Sequence, residues 1–271
     1  MKVACIQPEI FKNRMKCYTE IEKILKDLLE QCGKCDIICL PERWVPLSRD
    51  PIKNLQEQKG NDYKFIQRLA KEYNIKCVSG GIWEKRPRSK PVITCYFFEK
   101  DGEEIGKQDK IHLYAYEREL FEPGNELKIF KLDRSYHFAI LICFDMAFFE
   151  TPRLAVENGA DLLLSPTQIR EDGMENWFIY LKARALENRV PIIACNSFGN
   201  YLNRRFLGRS KIISFYEGKV SPSKLKILQG PENSSGFIFD DINIDFPRKL
   251  RSIRFNEKID KKNIKVTLIN S

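Results

Sequence analysis

Short apolar runs alternate with longer amphipathic stretches through most of this chain. Residues 2–7, 37–40, 138–143, 161–164 and 191–196 read as strands, continuous enough in apolar residues to be buried on both faces. Between them, 12–32 carries Met15, Tyr18, Ile21, Ile24, Leu25, Leu28 and Leu29 at helical spacing, a stripe that faces a core. A second helix places Phe65, Ile66, Leu69, Ala70 and Tyr73 on one side behind an Asn61-Asp62 cap. Residues 150–158 form a third, with Pro152 tolerated in its first turn and Gly159 ending it, and 174–188 a fourth. Residues 92–99 and 103–108 flank Asp101-Gly102, a hairpin signal of type I′ character. Residues 211–215 and 236–240, with a turn at Glu217-Gly218 after the first, add antiparallel strands near the end.

The order is therefore β-α-β-α-β, a hairpin, β-α-β-α-β and more hairpin. That order predicts an α/β protein whose mixed sheet carries helices on its outer faces. Two such sheets packed face to face would make an α-β-β-α sandwich. From Asp241 onward Lys, Arg, Asp and Asn dominate with Ile spaced between them. This basic segment, 241–271, reads as a strand reaching over a neighbouring subunit or as a loosely packed arm.

Composition changes this picture little. The 271 residues suit one domain spanning 1–271, and 43% hydrophobic residues supply one ample core. No 18-residue uncharged apolar run exists, so no membrane span is expected. The opening MKVACIQPEI lacks the apolar core of a signal peptide, and a cytoplasmic protein is the expectation. Nine cysteines, an odd number lying mostly inside apolar runs, fit reduced core thiols. Cys32-Gly33-Lys34-Cys35 is a lone CxxC in a chain with two histidines, which argues against zinc. The net charge of +9 is spread along the chain rather than gathered in one block, so no nucleic-acid partner is expected.

Chemistry enters where strands stop. Glu42 follows Leu40-Pro41, Lys110 follows the hairpin, and Cys143 follows Leu141-Ile142. Strand ends of an open α/β sheet gather at one edge, where such sheets bind ligands. A carboxylate, an ammonium and a thiol there can cleave an amide without histidine. Glu42 takes the thiol proton, nearby charges lower the thiol pKa, and Lys110 with the Phe144 N–H stabilises the oxyanion. The competing reading of Cys143 is a buried structural thiol. A Cys-His dyad is the natural competitor for the base, but His137 lies six residues before Cys143 on one strand. That separation is roughly 20 Å, too far for a base. His112 is closer in sequence to Lys110 and suits a structural hydrogen bond.

These motifs resemble the nitrilase superfamily, the carbon–nitrogen hydrolases, over nearly the whole chain. The likeness rests on Gln7-Pro8, Leu40-Pro41-Glu42, Lys110 to Leu113, Phe121-Glu122-Pro123-Gly124 and Cys143-Phe144-Asp145 with Glu150 and Arg153. The stretch from Gly159 to Pro166, Ala183 to Asn188, and Asn196 extend it. The resemblance implies a four-layer α-β-β-α sandwich of two mixed sheets. It also implies a Glu42-Lys110-Cys143 triad, no cofactor or metal, and subunits that pair through the helices behind the nucleophile as a homodimer or higher homo-oligomer. A second glutamate, expected seven residues before Gly124, falls on Glu117, with Glu119 as the rival.

Departures refine the expectation. True nitrilases show Cys-Trp-Glu at the nucleophile, whereas Cys143-Phe144-Asp145 follows amidases and carbamoyl hydrolases. Phe148-Phe149-Glu150 stands where relatives often carry Phe-Pro-Glu, and the loop from Lys110 to Gly124 is short, implying a more open or differently shaped pocket. Thr167, Gln168 and Asn196 are candidates to line that pocket, and Arg43 and Arg170 to receive a substrate carboxylate. Trp177 reads as core or interface, and Arg184 with Glu187 as an ion pair. The implied partner is a small-molecule amide or an N-carbamoyl amine; a catalytically silent interaction protein on the same fold is the alternative.

Overall fold

A computed structural model describes residues 1–46 and 48–269. Its first half runs β1 (Lys2–Gln7), α1 (Arg14–Cys32), β2 (Ile37–Cys39), α2 (Asn61–Glu72), β3 (Lys76–Val78), β4 (Ile82–Glu84), β5 (Val92–Phe98) and β6 (Glu104–Asp109). After α3 (Glu117–Leu120) come β7 (Ile129–Lys131), β8 (His137–Ile140), α4 (Glu150–Glu157), β9 (Leu162–Pro166), α5 (Met174–Asn188) and β10 (Ile192–Cys195). The chain continues through β11 (Phe198–Tyr201), β12 (Arg204–Leu207), β13 (Lys211–Phe215), β14 (Leu225–Gln229), β15 (Gly236–Asp241) and α6 (Asp245–Asn256).

The strands form two large mixed sheets. The first is ordered β15-β1-β2-β3-β5-β4, with β6 also paired to β5; the second is ordered β14-β13-β10-β9-β8-β7. Each has a parallel centre, β1-β2-β3 and β8-β9-β10, flanked by antiparallel strands. Strand alternation decides how they stack, because successive side chains leave opposite faces. From β1, Val3 and Cys5 enter a core shared with Phe138, Ile140, Leu162, Leu164 and Ile193 of the other sheet. Ala4 and Ile6 instead meet Ile21, Leu25 and Leu28 of α1 and Phe65, Ile66 and Leu69 of α2. The outward face of the second sheet, Ala139, Leu163 and Ile192 among it, packs on Ala155 of α4 and on Trp177, Leu181 and Ala185 of α5. Three separate cores make four layers, the expected α-β-β-α sandwich.

Local readings needed three corrections. Gly60, not Asn61 or Asp62, caps α2; the Gln56 Oε1 accepts the Asp62 N–H at 3.0 Å, while the Asp62 carboxylate is drawn to Arg14 and, at 2.5 Å, to the Tyr18 hydroxyl. The β5–β6 hairpin does not turn through type I′. Gly102 alone there has positive φ (+83°) and its N–H donates to the Glu99 carbonyl at 2.9 Å, so the loop is a right-handed turn closed by a left-handed glycine. The segment after Asp241 is neither a strand nor, in its first half, a loose arm, because Pro247 and Leu250 are buried on one side of α6.

That helix is moored by charge. Asp161, buried just before β9, accepts Arg248 Nε at 2.7 Å, Arg248 Nη2 at 2.6 Å and Arg251 Nη2 at 2.6 Å. Burial pushes the Asp161 carboxyl up, but Arg248, the His137 N–H and Arg251 outweigh it and hold it below the ordinary carboxylate range. A carboxylate depressed on folding contributes stability above its unfolded pKa, and that contribution fades as pH falls through the folded value. Asp161→Asn should therefore cost about 3 kcal/mol near neutrality. Its deficit in Tm against the wild type should shrink once pH drops below about 3.9. A deficit constant from pH 7 to pH 3 would assign the effect to packing instead.

Candidate active site

The nucleophile candidate sits on a strained elbow. β8 runs on through Leu141-Ile142, and the backbone then enters a 3₁₀ turn, Cys143–Ala147, whose first residue has φ +48°. A non-glycine residue in that region stores of order 1–3 kcal/mol of strain and persists only where its surroundings hold it. Asp145, fully buried, supplies much of that hold: Oδ2 accepts the Ile142 N–H at 2.9 Å and Oδ1 the His112 N–H at 2.7 Å. The His112 ring Nδ1 lies 3.0 Å from the same oxygen and the ring stacks on Phe148. From the other side Arg184 of α5 donates to the carbonyls of Met146 (3.1 Å) and Ala147 (2.8 Å) while pairing with Glu187 at 3.0 Å. Asp145 and Arg184 are the functional positions that sequence reasoning undervalued.

Glu42 is placed by backbone on two sides. Its N–H donates to the Thr167 carbonyl at 3.0 Å, and the Gly80-Gly81 segment after β3 lies directly against Pro41 and Glu42. A Cβ on Gly80 would stand 2.0 Å from the Pro41 carbonyl oxygen, and one on Gly81 would stand 2.9 Å from Glu42 Cγ, so only glycine fits this approach.

Lys110 closes the group. Its ammonium, 1% exposed, donates to Glu42 Oε1 at 2.6 Å and to Glu117 Oε2 at 2.7 Å. Glu117 Oε2 also accepts the Tyr114 N–H at 2.8 Å, and the Gly124 N–H ties back to the Lys110 carbonyl at 2.7 Å, fixing the short loop. The structure brings Glu117, not Glu119, to Lys110.

Charge balance sets the protonation states. Burial depresses Lys110, but Glu42, Glu117 and Cys143 outweigh it, and the ammonium is held well above its ordinary range. Burial raises Glu117, and the neighbouring Glu42 adds to that against the pull of Lys110. The Cys143 thiol is pushed well above its ordinary value by burial and by Glu42, with Lys110 and the Gln168 N–H opposing. This corrects the expectation of a lowered thiol pKa: burial, with Glu42 and more weakly Glu117 adding to it, outweighs the one ammonium, so the thiol waits protonated.

Glu42, Lys110, Cys143 and Glu117 line one cavity of about 450 Å³ with Phe144, Gln168 and Trp177. Outside its own turn the Phe144 N–H meets no backbone acceptor among the described residues. Of the three pocket candidates only Gln168 lines the cavity. Thr167 is wholly buried with Oγ1 donating to the Cys195 carbonyl at 2.7 Å. Asn196 is likewise buried, accepting the Ile169 N–H at 3.0 Å and donating to the Gly208 carbonyl at 2.9 Å. Both brace the loop that carries Gln168 rather than face the cavity. Trp177 belongs to the α5 core as expected and also walls the cavity, its indole N–H without an acceptor. His137 stands at the far end of β8, its N–H on Asp161. Among the described residues no group of three His, Cys, Asp or Glu is placed to hold a metal ion, and no helix is long and apolar enough to cross a membrane.

Comparison with known proteins points the same way. A model of the carbon-nitrogen hydrolase family matches residues 2–223. A probable nitrilase of Schizosaccharomyces pombe is 32% identical over 195 residues, covering 71% of this chain and 68% of that protein. The 2-oxoglutaramate amidase of Bacillus subtilis is 28% identical over 259 residues, covering 90% of this chain and 98% of its own. Among solved structures, Saccharomyces cerevisiae Nit3, a member of branch 10 of the nitrilase superfamily, superposes with a TM-score of 0.81 at 21% identity, over 97% of each chain. At that identity the likeness speaks to the fold.

Proposed function

The chain belongs to the carbon–nitrogen hydrolase family and is an amidase-type enzyme, and on that premise we propose that it hydrolyses a small non-peptide amide through a thioester on Cys143. The observation that carries this is the buried Lys110 ammonium clamped between Glu42 and Glu117 in the cavity that Cys143 enters. A scaffold has no use for two buried carboxylates, one cation and a thiol on a strained turn.

The geometry suits a proton shuttle. Glu42 removes the Cys143 proton as Sγ bonds to the amide carbon, which the raised thiol requires. The oxyanion takes hydrogen bonds from Lys110 Nζ and the Phe144 N–H. Glu42 returns the proton to the amide nitrogen, the C–N bond breaks, and ammonia or an amine leaves. Water, deprotonated by Glu42, then adds to the thioester; the C–S bond breaks and sulfur recovers its proton, releasing the carboxylic acid. Glu117 positions Lys110 throughout. Copies of the chain are proposed to associate through the α4–α5 side, where Phe149, Leu154 and Ile179 are exposed.

Intact-protein mass spectrometry during turnover of a slow amide should show one acyl increment, mapped to the peptide holding Cys143 and absent from Cys143→Ala. Amide consumption with no increment under any quench would sink the thioester route.

A further inference from the structure

The two groups assigned to the oxyanion come from different segments of the chain. Lys110 opens the loop after β6, and the Phe144 N–H belongs to the elbow after β8. β6 pairs with β5 in the first sheet, whereas β8 lies between β7 and β9 in the second, so no strand ladder joins them. Among the described residues no backbone–backbone hydrogen bond links the loop 110–124 to the turn 143–147 either. Yet a misplacement of about 1 Å at a reacting centre can cost about 10²-fold in rate. Side chains must hold the two donors in register.

His112 and Asp145 meet across that gap. His112 lies two residues after Lys110, and Asp145 directly follows Phe144. Asp145 Oδ1 accepts the His112 N–H at 2.7 Å and lies 3.0 Å from the ring Nδ1, while Oδ2 accepts the Ile142 N–H at 2.9 Å. Both carboxylate oxygens already accept backbone hydrogens, so the Nδ1 that meets one of them carries its hydrogen and donates. Rings reinforce the contact. The imidazole stacks on Phe148 at 4.1 Å, Phe148 meets Phe144 edge-on at 5.1 Å, and Tyr114 meets Phe144 edge-on at 5.1 Å. Thr151 Oγ1, 3.4 Å from Nδ1, is a lesser partner. Tyr114 and Phe144 line the cavity that Cys143 enters, but His112 stands outside its wall. From there it touches no substrate and serves neither as acid nor as base.

We propose that His112 is a positioning residue for the oxyanion site: its Nδ1–H on Asp145 fixes the distance between Lys110 Nζ and the Phe144 N–H. This rests on the oxyanion roles given to those two groups, and the test separates it from the amidase reading. The backbone N–H of His112 stays on Asp145 whatever the side chain, so losing the ring donor should loosen the tie without unfolding the elbow.

His112→Phe keeps a ring against Phe148 and removes the donor. His112→Asn restores an N–H near the position of Nδ1 without the ring, and His112→Ala removes both. Each should be assayed for kcat and KM on butanamide, and for the rate at which iodoacetamide alkylates Cys143. Protection of that thiol by butanal supplies a third readout. Cys143 Sγ adds to the aldehyde carbon and the thiol proton passes to the aldehyde oxygen, giving a hemithioacetal whose oxygen sits where the oxyanion forms.

His112→Phe should lower kcat by about 10²-fold with KM within about threefold, because the lost positioning is felt in the transition state. Its affinity for butanal should fall by about tenfold or more while alkylation without aldehyde stays within about threefold of the wild type. His112→Asn should recover both kcat and butanal affinity to within about fivefold of the wild type, and His112→Ala should not. Where His112→Phe fails to fold, the comparison of His112→Asn with His112→Ala decides in the same way. Equal losses in the Asn and Ala variants, or a fall in kcat with butanal affinity intact, would overturn the tie and leave the amidase reading standing. Butanal affinity that depends on the His112 donor, in a wild type that turns over no butanamide, would keep the tie and count against the amidase reading. No protection of the wild-type thiol by butanal would remove the oxyanion site and the tie with it.

Discussion

Glu42→Gln should lower kcat/KM for the preferred amide by about 10⁴-fold, near the upper end of what a positioned acid–base group contributes. The residue acts twice in the proposed route, on the thiol and on water, and returns a proton to the leaving nitrogen between them. Glutamine keeps the shape and still offers an oxygen to Lys110, so the fold should hold and Tm should move little. The thiol supplies a second readout of opposite sign. Glu42 is one of the groups that raise Cys143, so its removal should bring the thiol pKa down while Lys110 remains beside it. The pH midpoint of Cys143 alkylation by iodoacetamide should therefore shift lower in Glu42→Gln even as turnover collapses. A merely structural role for Glu42 predicts slower turnover and no such shift. Turnover within tenfold of the wild type would mean that the thiol does not need Glu42 to ionise it, and the shuttle would fall.

That prediction depends on a sign that the sequence did not disclose. Glu42, Lys110 and Cys143 were legible because each interrupts or ends an apolar strand, and a strand end fixes position along the sheet edge. It does not fix which way a side chain turns. Thr167 and Asn196 also end strands, yet both turn inward to bind the carbonyls of Cys195 and Gly208. The thiol pKa is raised rather than lowered because its sign depends first on how deeply the folded chain buries it and then on the carboxylates that face it, neither of which a strand end discloses. Asp145 was read only as part of the motif at the nucleophile and Arg184 only as the partner of Glu187, because both also act on backbone groups, and no spacing in the sequence marks a residue whose partner is a carbonyl or an N–H.

The fold divides along similar lines. Strands buried on both faces, such as β1, β8 and β10, announce themselves as apolar runs. β4 and β7 have three residues each, too few to show a period, and β11–β12 reads FGNY and RRFL, with little apolar face to detect. That hairpin contributes Arg204 and Phe206 to the cavity that holds Cys143, so the least legible element still lines the site. The helix α6 was hidden by its charge: Arg248 and Arg251 look like solvated surface until Asp161 is placed under them.

Lys110→Met should lower activity by about 10³-fold or more through loss of an oxyanion donor and should also destabilise the protein by about 3–5 kcal/mol at neutral pH. The second effect follows from what stays behind: Glu42 and Glu117, 4% and 6% exposed, would face each other with no cation between them. Like charges in a buried site raise one another's pKa, so at least one carboxylate would hold its proton. If that one is Glu42, the base is lost as well as the donor. The pH dependence distinguishes this from simple loss of packing. In the wild type the Lys110 ammonium is held above its ordinary range, so its stabilising contribution is complete below about pH 10 and lost only at higher pH. In the variant the raised carboxylates make the folded state costlier as they ionise, so stability should fall as pH rises from about 4.5 through neutrality. The gap in unfolding free energy between the two proteins should be widest at pH 7–8 and narrow toward pH 5. Adding Glu117→Gln to Lys110→Met removes one of the opposed charges and should recover much of the stability with none of the activity, a coupling that a double-mutant cycle measures directly. Recovery of turnover in that double variant would mean that Lys110 serves only to neutralise Glu117, and the oxyanion role assigned to it would have to be given up.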